Sequence, residues 1–122
     1  MIADTDSTEY LGELVMEALE DLRAVNPVVL DVRGRTSITD LMVVATGTSN
    51  RHVKSLADRV IERAKEAGIR PLGVEGADGA EWILVDLGDV VAHVMSEQTR
   101  ELYRLEHIWG VDDEDADQGH GG

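Results

Sequence analysis

LMVVATGTSNRHVKSLADRVIERAKEAGIRP, residues 41–71, contains the two adjoining patterns that decide the fold. Residues 41–45 are apolar without a break, as expected of a strand covered on both faces. The pattern then changes. Val53, Leu56, Ala57, Val60, Ile61 and Ala64 recur at intervals of three and four, which puts them on one stripe of a helix. Thr48 or Ser49 supplies a hydroxyl to cap that helix, Gly68 ends it, and Pro71 follows shortly after. A buried strand leading through a short polar turn into an amphipathic helix implies helices layered on a sheet.

The flanking sequence extends this pattern. Towards the N-terminus, Leu11, Leu14, Val15, Ala18, Leu19 and Leu22 form a second apolar stripe, with Asp6 and Glu9 spaced as a capping box and Asn26-Pro27 expected to stop the helix. Strands are expected at 28–32, 41–46, 69–74, 82–87 and 90–95, with Gly88-Asp89 as a two-residue hairpin connection. A glycine-rich loop occupies 75–81, and a short helix closes the fold at 97–104. The order α-β-β-α-β-β-β-α describes an α/β fold: a mixed five-stranded sheet flanked by helices. One domain is expected at 8–110, between a flexible start at 1–7 and a disordered acidic tail at 111–122.

Composition narrows the function classes. The 122 residues are 43% hydrophobic and 30% charged, enough for one globular core, built largely from aliphatic residues because phenylalanine is absent. Cysteine is absent too, which removes disulfides, thiolate nucleophiles and cysteine-bound zinc. With neither a membrane-length apolar run nor a secretory leader, a cytoplasmic location is expected. The net charge of −14 is concentrated at the ends: residues 1–22 hold seven acidic residues and 112–122 hold five, with no lysine or arginine in either stretch. Such a balance disfavours direct docking on nucleic acid, where lysine and arginine neutralise phosphates.

No catalytic set emerges. The turn Thr46-Gly47-Thr48-Ser49-Asn50-Arg51 could hold a phosphate at a helix N-terminus, but it lacks the lysine and glycine spacing of a P-loop, and a hydroxyl-capped turn accounts for it. Asp40, Asp86 and Asp89 raise a metal-dependent nucleotidyltransferase as the alternative reading; turn and cap roles suit the three better. His52, His93, His107 and His120 show no metal-ligand spacing, and His93 could face Asp86 across the hairpin or be a hydrogen-bonded structural histidine. No cofactor or metal is expected, nor an enzyme.

The unusual stretch is 75–97. It carries Glu75, Asp78, Glu81, Asp86, Asp89 and Glu97, and no lysine or arginine lies between Arg70 and Arg100. Trp82, one of two tryptophans, sits in its middle. An indole ringed by carboxylates is suited to anchoring on a basic protein surface. It is equally suited to a core position beside a solvated acidic face, and composition does not choose between the two.

Three blocks add a resemblance. TDLMVVATGTSNRHVKSLAD (39–58), EGADGAEWILVDLGDVVAHVM (75–95) and REL-Y-R-LE-H-IW (100–109) occur in the order and spacing of the bacterial ribosomal silencing factors, the Iojap-like family, which the chain resembles from about residue 11 to residue 110. The resemblance implies a nucleotidyltransferase-like fold without its catalytic motif, often a homodimer in the free state. It also implies binding to the large ribosomal subunit through ribosomal protein fourteen, which sterically blocks subunit joining and represses translation. The implied docking residues are Glu75, Gly76, Trp82, Asp86, Leu87 and Asp89. Leu87 stands where relatives often have an aromatic, and Met95 where they often have Phe.

Overall fold

A computed structural model describes residues 4–104. The tail expected at 111–122 lies outside the described residues. The chain runs α1 (Asp4–Asp21), β1 (Val25–Asp31), β2 (Leu41–Gly47), α2 (Asn50–Glu66), β3 (Gly73–Glu75), β4 (Trp82–Asp86), β5 (Val90–Ser96) and α3 (Glu97–Tyr103). The five strands form one sheet in the order β1-β2-β5-β4-β3. β2 and β5 run parallel and the other neighbours antiparallel, so the sheet is mixed, as expected from the element order.

β2 lies inside the sheet and all seven of its residues are buried, which is why its sequence needs no polar alternation. Leu41, Val43 and Ala45 face the helices and pack with Val90, Ala92 and Val94 of β5, and with Ile83 and Val85 of β4. The stripes of α1 and α2 close this core through Leu14, Val15, Leu19, Leu56 and Val60. The opposite face has its own smaller cluster of Leu30, Val32, Met42, Val44 and Met95, against which Val28 and Trp82 pack.

The helix ends explain where the sequence reading was displaced. α1 begins at Asp4, so Asp6 lies inside it rather than at its cap. It ends at Asp21, before Asn26-Pro27, which instead fall within β1. Arg23 adopts φ 60°, its N–H donates to the Glu20 carbonyl at 3.0 Å, and the Ala24 N–H donates to Leu19 at 2.9 Å. These are the paired bonds of a Schellman stop, made without the usual glycine and therefore hard to see in sequence. α2 ends the same way at Gly68: Gly68 N–H donates to Lys65, and Ile69 N–H to Ala64. Ile69 is thus spent on the cap and Pro71 has no N–H, so the strand expected at 69–74 shrinks to Gly73–Glu75.

Two devices hold α1 and α2 to the rest. Arg59 and Arg63 of α2 both reach Asp21 at 2.9 Å, and Arg63 also reaches Glu17 at 2.8 Å. Part of the N-terminal acidity is therefore paired across the helices. His52 accepts the Thr48 N–H on Nδ1 at 2.8 Å, which puts its proton on Nε2, 2.8 Å from the Leu22 carbonyl. It stitches the end of α1 to the β2–α2 turn.

Candidate functional site

Strand alternation sorts the acidic hairpin. Leu84 pairs with Glu75 on one side and His93 on the other, while Trp82 pairs with Met95 and Asp86 with Val91. Side chains two apart on a strand share a face, so Trp82, Leu84, Asp86, Glu75 and His93 all lie on the face away from α1 and α2. Leu84, Trp82 and Asp86 are half-buried there, and Glu75 is exposed.

Trp82 is held rather than loose. Its indole N–H donates to Nδ1 of His93 at 3.0 Å, and its ring lies 4.9 Å from that of Tyr103, tilted by 48°. His93 is buried, and that burial lowers its pKa to about 4, so near neutral pH the imidazole stays uncharged and Nδ1 stays an acceptor. α3 brings Tyr103 into place. Ser96 caps α3 by accepting the Thr99 N–H, and Arg100, buried, donates to the Asn26 carbonyl at 2.7 Å and to Thr46 Oγ1 at 3.0 Å.

Gly76 contributes through its backbone. It has φ +87°, and a Cβ there would sit 2.1 Å from the Trp82 carbonyl oxygen. Only glycine lets the loop pass so close to the strand bearing the indole. At the far end of β4, the Leu87 N–H donates to the Val90 carbonyl around the Gly88-Asp89 turn, with Gly88 at φ +93°.

The carboxylates of Asp86 and Asp40 make local bonds, and Asp89 acts through its backbone. Asp86 Oδ1 accepts the Gly88 N–H at 2.9 Å, Asp40 Oδ2 accepts the Thr8 hydroxyl, and the Asp89 carbonyl takes the N–H groups of Asp40 and Leu41. His93 bonds Trp82 rather than Asp86. Among the described residues, no group of three or more His, Cys, Asp or Glu is placed to hold a metal ion. In the Thr46–Asn50 turn, Ser49 is the cap, accepting the His52 N–H at 3.0 Å. The turn opens on a cleft of about 510 Å³ whose lining arginines are Arg100 and Arg104, not Arg51.

Residues 5–120 match the family model described as "Ribosomal silencing factor during starvation". The chain belongs to this family. It is 46% identical over 99 residues to the ribosomal silencing factor of Haemophilus influenzae, covering 81% of this chain and 97% of that one. To the factor of Chromobacterium violaceum it is 47% identical over 102 residues, covering 84% of each. A crystal structure of a Chromobacterium violaceum protein, 46% identical, superposes with a TM-score of 0.83 over 84% of this chain and 86% of that one.

Of the six residues that the family resemblance singled out, Glu75, Trp82 and Asp86 share the face described above, and Gly76 shapes the loop beside it. Asp89 is exposed in the hairpin turn. Leu87 points to the helix side, where it is buried and packs in the main core. Leu84, which is not one of the six, lies on the Trp82 face. Sequence reading also missed Tyr103 and the Trp82–His93 bond. Alternation along WILVD could have separated Leu84 from Leu87, whereas the contact with Tyr103 depends on how α3 folds back.

Proposed function

We propose that this chain is a binding protein, not an enzyme, that docks on ribosomal protein fourteen of the large ribosomal subunit through the Trp82 face and blocks subunit joining. The carrying observation is the half-buried indole fixed by His93 and Tyr103 on the face that also carries Glu75 and Asp86. A fixed aromatic loses little conformational freedom on binding, and half-burial leaves part of its surface to be covered. The surrounding acids attract a basic partner over distance and speed encounter. Family membership supports the ribosome as the target. The resemblance adds a homodimer in the free state and a docking unit within residues 8–110. A cytoplasmic location follows from that target; no helix among the described residues is long and apolar enough to cross a membrane.

The test is sedimentation of the chain with separated subunits through a sucrose gradient. It should travel with large subunits, not with small ones, and its addition should reduce the joined-ribosome peak. Migration with small subunits, or joining unaffected at saturation, would overturn the proposal.

A further inference from the structure

A groove lies on the opposite edge of the sheet from the acidic hairpin. We infer that the groove between α1 and the outer edge of β1 docks an extended, lysine- or arginine-bearing segment of a partner protein. The groove has a volume of about 460 Å³. Its apolar floor comes from Gly12 and Met16 of α1, Val29 of β1 and Leu41 of β2. Gly12 lies so close over Leu41 that an added Cβ would come within 3.0 Å of Cδ1, so α1 seats low here and leaves no side chain to fill the space. Val29 remains 42% exposed in the floor.

β1 ends the strand order, so its outer backbone groups have no strand beside them among the described residues. Such edges invite pairing unless they are guarded by proline, bulges or lysine. The first half of β1 is guarded by Pro27 and by the register break between Val25 and Val28. From Val28 to Asp31 the strand pairs regularly with β2 and carries neither proline nor lysine. An extended segment added there would gain main-chain hydrogen bonds and place alternate side chains over Val29.

The rim specifies the charge of the occupant. Glu9, Glu13, Glu17 and Asp31 line the groove; Arg33 lies among them, and Glu17 is already paired with Arg63 of α2 at 2.8 Å. Arg33 reaches Glu9 only at 3.9 Å and Asp31 at 3.5 Å, and its Nε is buried with no hydrogen-bond partner. Cationic side chains are thus accepted at this rim, and carboxylate capacity remains. The homodimer proposed above would leave this groove open, since a second copy, at net charge −14, would bring acid against this acidic rim. A basic, extended polypeptide satisfies floor, edge and rim together.

The test titrates the isotopically labelled full chain with a short peptide of alternating lysine and valine, and with its glutamate–valine counterpart. Amide resonances of Gly12, Met16 and Val29 should shift saturably with the lysine peptide and not with the glutamate one. Glu13→Lys, on the exposed helix surface, and Val29→Lys, on the strand edge, should each weaken binding by about tenfold or more with the spectrum otherwise preserved. No shift, shifts at Trp82 and Leu84 instead, or unchanged affinity in both variants would each overturn the inference. The two surfaces share no residue, so failure here leaves the Trp82 face untouched, and the converse also holds.

Discussion

At the scale of single residues, the pair Trp82–His93 links stability to the site. His93 keeps Nδ1 free of a proton only while neutral, and burial lowers its pKa from 6.5 to about 4. In an unfolded chain the same histidine takes up its proton near 6.5. Between these values the unfolded state binds more protons than the folded one. The stability contributed is therefore complete above about pH 6.5 and is lost as pH falls towards 4, on the order of 3 kcal/mol in all. Urea unfolding of the wild type should show this loss over that window, and His93→Gln should flatten it. The lowered pKa of Asp21, caused first by its hydrogen bond from Arg59, acts below that window, because its ordinary value is 3.8. Equal slopes for wild type and variant would contradict the assignment of a buried neutral acceptor.

At the scale of elements, the strands and helices were legible wherever a periodic pattern reported burial. Val53 to Ala64 spelled out α2, and the uninterrupted run 41–45 marked an interior strand. The ends were less legible because local bonds decide them: Arg23 stops α1 in a left-handed conformation that sequence assigns to glycine, and Ile69 is consumed by the α2 cap. The placement of α3 was not legible at all, because it rests on one buried arginine far away in sequence from its acceptors. Arg100 ties α3 to the start of β1 and the end of β2 through Asn26 and Thr46. Arg100→Ala should destabilise the fold by about 3 kcal/mol, since charged bonds are lost and buried acceptors are left unmet. It should also release Tyr103 from Trp82. A thermal scan of the variant checks the first effect, and the aromatic resonances of Tyr103 check the second; an unchanged melting temperature would contradict the tie.

At the scale of the whole molecule, charge and topology divide the labour. Some of the acidity is internal business, since Glu17 and Asp21 pair with Arg59 and Arg63, but the hairpin carboxylates have no such basic neighbours in sequence. Binding to large subunits should therefore weaken as salt rises and screens the attraction, and an affinity indifferent to salt would remove the electrostatic part. The candidate site was legible in sequence as a composition: an indole among acids with no lysine or arginine. Its faces were not, because Leu87 and Leu84 are equally apolar and only the pairing register separates core from surface. The measurement that bears most directly on the docking face is co-sedimentation of Trp82→Ala with large subunits, beside a circular dichroism spectrum showing that the variant is folded. Loss of an anchoring aromatic should cost about 2–4 kcal/mol, or roughly 30- to 1,000-fold in affinity, and empty the large-subunit fractions. A folded variant that still sediments with large subunits as the wild type does would show that the indole is not the anchor.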